Sequence, residues 1–489
     1  MNLIIFPILW PMSMALLAML TRFHKKAQIL IAITGMSVYS VSVAWIMFKV
    51  LKTGPLVLHL GKWVAPFGIT LVADSFSVLL LALTAVIAVT SCTFIMQTIN
   101  PLTLEKGFLA LFFALVMGVS GAFLTGDLFN LYVWFEVILI SSFVLLVLEI
   151  KPTELPASLK YVMLNLVASM FFLAGIGILY GKTGTLNMAD LALKIQTSPD
   201  SELVISSAIL FLIAFGIKSA IFPLFFWLPD SYHIPSAGVV ALFSGLLTKV
   251  GLYAFFRVFT LVFGTETPIF SSLFAIIAIF TMTLGVIGAV AQQEMKQLLS
   301  FHIVSQIGYA IMGLALYSTQ AFAAAIYFII HVSIAKSALF LVAGVIQKTS
   351  GSTDLKKLGG FANQPWLASL FLLAAFSLAG LPPLSGFIAK YGLVKAGLEQ
   401  QAFGLVFVAL AVSFLTLFSM TKIWKFAFWG ENHFPEARES IPLLLPIMIL
   451  SGLTVGLGLS RPLYQIAVLA ANELMQPAAY IQAVMGGSL

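Results

Sequence analysis

Apolar runs long enough to cross a bilayer recur from one end of the chain to the other, broken by short polar or basic stretches. About 20 apolar residues make one helical crossing. By that measure the pattern predicts fourteen spans, at about 3–22, 28–50, 72–96, 106–125, 127–148, 158–181, 203–228, 235–263, 267–291, 297–318, 320–346, 363–400, 402–424 and 440–460. The first stretch has no basic segment ahead of it and no small-residue cleavage pattern behind it, so it reads as a retained helix rather than a signal peptide. The segment after Arg461 is short and mildly amphipathic, and is expected to lie along the membrane surface. The fold class predicted is an all-α polytopic membrane protein.

Two spans carry helix breakers at their centres. The seventh reads GIKSAIFPLFFWLPD, with Pro223 and Pro229, and the twelfth reads FSLAGLPPLSGFIAK, with Pro382, Pro383 and Gly386. Proline removes a backbone hydrogen bond and interrupts the helix. At membrane depth a freed backbone is tolerated only inside protein or facing water. The breaks occupy matching places: spans 4–8 and 9–13 form two five-helix units, and the broken helix is fourth in each. Because five is odd, consecutive copies are inverted in the membrane, an arrangement that points to a transport site between them. The chain divides accordingly into a three-helix segment (1–105), a first repeat (106–263), a second repeat (264–430), and a last span with its tail (431–489).

Composition narrows the class. Of 489 residues, 61% are hydrophobic and only 9% charged, against about 25% charged in soluble domains. This excludes a soluble enzyme and a nucleic-acid partner. The net charge of +7 reads as loop cations that set topology. Loops after odd-numbered spans hold 13 Lys and Arg, and loops after even-numbered spans, with the tail, hold 8, Arg257 among them. The odd loops are therefore expected in the cytoplasm and both termini outside. The single cysteine, Cys92, leaves no disulfide or Cys-ligated metal within the chain, and neither cofactor nor metal is expected.

Four lysines fall inside spans: Lys218, Lys249, Lys336 and Lys390. A charge at the bilayer centre costs about 2.5–3.5 kcal/mol on insertion scales, so each one calls for a function. Glu136 in span 5, His302 in span 10 and His331 in span 11 join them within a turn or two of the midplane. The set describes a row in the membrane plane rather than a pore along its normal. Polar stripes accompany it: Ser158, Tyr161, Asn165 and Ser169 on span 6, His302, Ser305, Gln306 and Tyr309 on span 10, and Lys249 with Tyr253 on span 8. Such stripes hold water and join titratable groups into a proton wire. The competing readings are packing glue for the stripes, a structural Glu136–Lys218 ion pair, and haem ligation by the two histidines.

The runs GDLFNLYVWFEVILISSFVLL, KSAIFPLFFWLPDSYHIPSAGVVALFSGLLTKVGLY and GLPPLSGFIAKYGL resemble the proton-conducting antiporter-like subunits over nearly the whole chain. That family spans the large membrane-arm subunits of respiratory complex I, energy-converting hydrogenases and multisubunit Mrp-type Na⁺/H⁺ antiporters. The resemblance implies fourteen helices, inverted repeats, broken helices 7 and 12, a Glu on helix 5 (Glu136) and lysines on helices 7 and 8 (Lys218, Lys249). The wording around Glu136 and the short length are most similar to the D-type branch of the Mrp antiporters. The alternative is a complex I or hydrogenase membrane-arm protein, although Lys390 stands where one complex I type has Glu and the chain has no room for a long lateral C-terminal helix. Implied partners are the Mrp A, B, C, E, F and G subunits, the lipid bilayer of a bacterial inner membrane, H⁺ and Na⁺. The expected activity is transport rather than enzymatic conversion, with protons passing from Glu136 and Lys218 through Lys249, His302, His331 and Lys336 to Lys390. A solitary solute transporter and a structural scaffold are the other function classes. The first would enclose a compact polar site, and the second would make the midplane lysines dispensable.

Overall fold

A computed structural model describes residues 3–148, 154–196, 202–264, 268–431 and 440–486. Its main helices, in chain order, are α1 (Phe6–Leu20), α2 (Lys25–Thr53), α3 (Ser75–Thr98), α4 (Phe108–Leu124), α5 (Leu128–Val147), α6 (Leu155–Thr183), α7 (Glu202–Ser219) and α8 (Ala237–Leu261). They continue with α9 (Pro268–Ala291), α10 (Met295–Leu316), α11 (Thr319–Ser350), α12 (Pro365–Ala379), α13 (Ser385–Glu399), α14 (Phe403–Ile423), α15 (Ile441–Leu459) and α16 (Pro462–Met475).

Among the described residues, twelve helices are long and apolar enough to cross a membrane. The shorter apolar helices α4 and α12 lie at the fourth and twelfth spans read from the sequence. The fold is all-α and polytopic. Both proline-bearing spans are interrupted. The seventh stops at Ser219 and resumes in a short helix, Trp227–Tyr232, and the twelfth stops at Ala379 and resumes at Ser385.

Burial sorts the helices into layers. Every residue of α8 is buried, and α11 is buried from Ala321 to Ile346. In the most apolar windows of α1 and α2 only 33% of residues are buried, the rest presenting Leu, Ile and Phe outward. A helix apolar all round suits either lipid or protein, so it is the polar content of α8 and α11 that fits them to the centre. The α9–α10 crossing is close because it is lined by small residues: a Cβ on Gly308 would lie 2.5 Å from Met282 Cγ and 2.7 Å from its backbone nitrogen. Gly308→Ala is therefore expected to push two backbones apart and destabilise the bundle by about 1–3 kcal/mol, measured as a lower Tm in detergent.

Two features lie outside the helix pattern. A short hairpin, β1 (Leu56–His59) and β2 (Thr70–Ala73), pairs antiparallel with Leu56 opposite Ala73. The chain after Arg461 folds onto this end of the bundle: α16 buries Ala467, Ala470, Ala471 and Leu474, and Glu473 accepts hydrogen bonds from Ser75 N (2.9 Å) and Ser75 Oγ (2.7 Å). Burial, and then the Asp74 carboxylate, raise the Glu473 carboxyl above its ordinary range. The docked tail thus binds this proton more tightly than a free tail does. Docking is strongest below the ordinary value of 4.5 and weakens as pH rises through the raised one. Hydrogen-exchange protection of α16 should fall over that window, and Glu473→Gln should flatten the profile.

Arg257 departs from the loop assignment used in counting charges. It lies within α8, is 3% exposed, and pairs with Asp74 at 2.5 Å. It is thus a buried, paired cation rather than a topological one, because its pairing with a carboxylate makes burial tolerable. Lys151 and Arg438, counted with the odd loops, lie outside the described residues.

Candidate proton-relay site

Glu136 stands on α5 and is half-buried, at the flank of the bundle rather than its sealed interior. Asp74, at 1% exposure, is the more enclosed carboxylate. Glu136 and Lys218 form no direct ion pair. Ser169 on α6 stands between them: its hydroxyl donates to Glu136 Oε1, and Lys218 Nζ donates to Ser169 Oγ at 3.3 Å. The α6 stripe continues from this point. Ser169 Oγ also bonds Asn165 O (3.1 Å), Asn165 Nδ2 bonds Tyr161 O (2.8 Å), and the Tyr161 hydroxyl meets Ser142 Oγ at 2.5 Å. The whole stripe is buried.

Lys218 occupies the last turn of α7, where helix carbonyls lose their partners. Trp227 Nε1 takes up one of them, Ile217 O, at 2.9 Å, and within the break Phe222 N donates to Thr281 Oγ1 at 2.9 Å. The interrupted backbone is thus satisfied by protein, as a break at this depth requires. The ammonium also sits 4.7 Å from the centre of the Phe135 ring, a cation–π contact that partly offsets its desolvation. A small cavity beside it is lined by Phe135, Tyr161, Asn165, Trp227, Tyr232 and Leu247.

Next along the row, α8 packs against this break at Gly251, where a Cβ would collide with Ser219 Oγ and fall 3.2 Å from Lys218 C. Lys249 stands two residues from Gly251 and so projects from a different face of α8 than the one packed on the break. Lys249 Nζ donates to Ser244 O at 2.5 Å, and Lys336 Nζ on α11 to Leu299 O at 3.0 Å. Both lysines are buried, with no carboxylate as partner among the described residues, and lie within electrostatic reach of one another.

In the second half, His302 Nε2 meets Ser419 Oγ of α14 at 2.5 Å, and His331 Nδ1 meets Ser385 Oγ, just past the second break, at 2.9 Å. Lys390 Nζ donates to Ala379 O, the carbonyl on the other side of that break, at 3.1 Å and lies 4.9 Å from the Tyr309 ring centre. Lys390 is within electrostatic reach of both histidines, and Lys336 of His302. The span-10 stripe divides. His302 and Tyr309 face α14, whereas Ser305 bonds Met282 O on α9 at 3.1 Å and serves packing.

Several buried polar atoms along the row have no protein partner: Tyr232 Oη, Ser219 Oγ, both Gln306 amide atoms, His302 Nδ1 and His331 Nε2. Buried groups of this kind are almost always satisfied, by protein or by ordered water. A row whose members alternate between protein bonds and open valences is suited to holding water between titratable side chains. Gly386 keeps one such place open: a Cβ there would collide with Ser377 O and lie 2.8 Å from His331 Nε2. Gly386→Ala is expected to displace His331 or the second helix break and lower transport at least about tenfold, an effect worth about 1.4 kcal/mol on the barrier, read as initial rate in vesicles.

The sequence pattern locates all seven titratable residues but not their partners. Ser169 is visible there only as one member of a stripe, and Ser377, Ser385 and Ser419 have no local signal. The burial of Arg257 could have been anticipated from its place eight residues, two helical turns, beyond Lys249 in the same apolar span, but its pairing with Asp74 could not.

A polytopic bundle with a chain of buried lysines and histidines passing between two interrupted helices defines an ion-translocating membrane protein. Residues 125–419 match the family described as NADH:quinone oxidoreductase/Mrp antiporter, TM. The chain is 46% identical to the D subunit of the Na(+)/H(+) antiporter of Alkalihalophilus pseudofirmus, over 99% of each chain. It is 40% identical to the protein of that name from Bacillus subtilis, again over 99% of each. A chain of the Mrp complex from Dietzia sp. superposes with a TM-score of 0.92 at 31% identity, covering 99% of this chain and 100% of that one. Respiratory complex I from Thermus thermophilus contains a chain of the same fold, with a TM-score of 0.84 at 22% identity, covering 96% of this chain and 99% of that one. The protein belongs to the NADH:quinone oxidoreductase/Mrp antiporter transmembrane family.

Proposed function

We propose that this chain is the D-type member of a multisubunit Na⁺/H⁺ antiporter of the Mrp class, an ion-translocating component of a bacterial cell membrane rather than an enzyme. It works within a hetero-oligomeric complex with A, B, C, E, F and G type partners. The chain crosses the membrane fourteen times, with both termini outside, and two inverted five-helix units meet on a midplane row. Protons move from Glu136 through Ser169 to Lys218, then to Lys249, Lys336, His302, His331 and Lys390, with water completing the open valences.

One observation carries this reading: among the described residues, the polar link between Glu136 and Lys218 is a hydroxyl that donates to the first and accepts from the second. A serine so placed can pass a proton on or reorient, and a change in charge or position at Glu136 is felt at Lys218 through a single atom. Because Glu136 is half-buried at the bundle's flank, it is also open to influence from a neighbouring protein of the complex. Such coupling between titratable groups moves protons without any enclosed solute site.

The reading is tested by co-expressing the chain with its neighbouring genes in an antiporter-deficient host and measuring Na⁺-dependent collapse of ΔpH in inverted vesicles. The absence of Na⁺-dependent collapse would reject it. A second reading, a proton-pumping component of a complex I-like redox assembly, is favoured by the shared fold. It predicts flavin and iron–sulfur absorption in the purified complex. Ser169→Ala is expected to slow antiport several-fold while leaving assembly intact, and an unchanged rate would show that the hydroxyl carries no proton traffic.

A further inference from the structure

The row accounts for seven titratable residues, but α8 carries an eighth charge that it does not use. Lys249, Tyr253 and Arg257 recur every fourth residue and so share one face. The stripe runs from Lys249 toward the end of the bundle that holds the hairpin and the tail, a distance of about 12 Å along the helix. Left open, it would be the shortest way out for a proton on Lys249, bypassing the second half of the chain.

Its first step is available by the i, i+4 spacing once Lys249 Nζ leaves Ser244 O. The Tyr253 hydroxyl donates to Phe123 O at 2.9 Å and accepts from Arg257 Nε at 3.3 Å. The next step is not. A guanidinium has five donors and no acceptor, and it does not give up a proton in proteins. A hydrogen-bonded wire needs every member to accept as well as donate, so a wire reaching Arg257 ends there. The group is also closed in. Arg257 is 3% exposed, its carbon lies 5.0 Å from the Tyr480 ring, 5.4 Å from Tyr253 and 5.8 Å from Phe76, and Asp74 holds its far side at 2.5 Å. Tyr480 comes from the tail, so the docked tail is one wall of the enclosure.

We propose that Arg257, held by Asp74 and boxed by Phe76, Tyr253 and Tyr480, is a proton seal at the hairpin end of α8, which prevents direct escape from Lys249 and directs protons sideways to Lys336. The proposal rests on the relay reading above and adds a positioning residue to it. A purely structural ion pair would tolerate replacement by well-packed neutral groups, which is often harmless to stability, whereas a seal would not.

The test uses the complete complex in proteoliposomes, without Na⁺, with passive proton flux driven by a potassium diffusion potential and read by an internal pH dye. Asp74→Asn breaks the ion pair but keeps the guanidinium and an acceptor for it, and should stay as tight as the parent. Asp74→Asn combined with Arg257→Gln removes the donor-only group and shortens the side chain, leaving room for water that can both accept and donate, and should leak several-fold faster. Adding Lys249→Ala to that double variant should close the leak again. Equal leak from Asp74→Asn and the double variant, a tight double variant, or a leak indifferent to Lys249 would each overturn the seal.

If the double variant does not assemble, Arg257→Lys decides. The groups facing position 257 are Asp74, Tyr253, Tyr480 and Glu473. A lysine among them has no acceptor while charged and gains one on deprotonation, so its leak should be small near neutrality and climb in alkaline buffer. A flat profile would overturn the seal. Failure of the relay itself reads differently: Lys249→Ala alone would then retain parental Na⁺-driven antiport.

Discussion

Glu136→Ala abolishes Na⁺-driven proton movement while the chain still inserts and assembles. That is the expected result because Glu136 is the only carboxylate joined to the lysine row, through Ser169 to Lys218, among the described residues. Without it the Ser169 hydroxyl has no anion to donate to, and nothing at the α5 flank changes the charge felt by Lys218. The residue is half-buried, so its loss leaves little unfilled volume and the fold should tolerate it. Glu136→Asp keeps the charge on a shorter arm and should retain part of the rate. Initial rates of ΔpH collapse, normalised to the amount of assembled complex, are the measurement. A fully active alanine variant would remove Glu136 from the mechanism. A variant that does not accumulate would make it a structural residue.

The second large effect contrasts the two lysines beside the breaks. Lys218→Ala should stop transport across pH 7 to 9, a window bracketing ordinary working conditions. It deletes the cation bonded to the Glu136–Ser169 link and leaves no titratable group between that link and Lys249. Lys390→Ala should cause a large but incomplete loss. Lys390 Nζ is bonded to Ala379 O, a carbonyl freed by the break, and water can occupy that place once the side chain is gone. Lys390→Glu should recover part of the rate by restoring a titratable group. Parental rates for both alanine variants would leave the lysines as packing and end the relay interpretation.

The outcome at individual residues shows where sequence reasoning reaches and where it stops. Lys218, Lys249, Lys336 and Lys390 are legible as candidates because a charge inside an apolar run is expensive wherever the chain folds, so its presence calls for a reason. The two breaks are legible for a similar reason, since proline cannot donate a backbone bond in any tertiary context. The direct Glu136–Lys218 ion pair, a competing reading of the sequence, is replaced in the fold by a bridge through Ser169, because the stagger of α5, α6 and α7 is a packing result. Arg257 reads as a loop cation along the chain and is a buried one in the fold. Its partner Asp74 is 183 positions earlier, and nothing local joins them.

The sequence by itself determined that this is a polytopic helical protein, which two helices are interrupted, and which lysines, histidines and glutamate stand inside apolar runs. Those conclusions follow from hydrocarbon burial and desolvation, which act on each segment independently of its neighbours. Only the tertiary structure decided the rest: the serine that links Glu136 to Lys218, the serines that hold the two histidines, the tail folded over the hairpin end, and the enclosure of Arg257. Each of these is a contact between segments far apart in the chain, settled by how the helices pack and which polar groups then find a partner, and hydropathy along one strand of sequence carries no information about either.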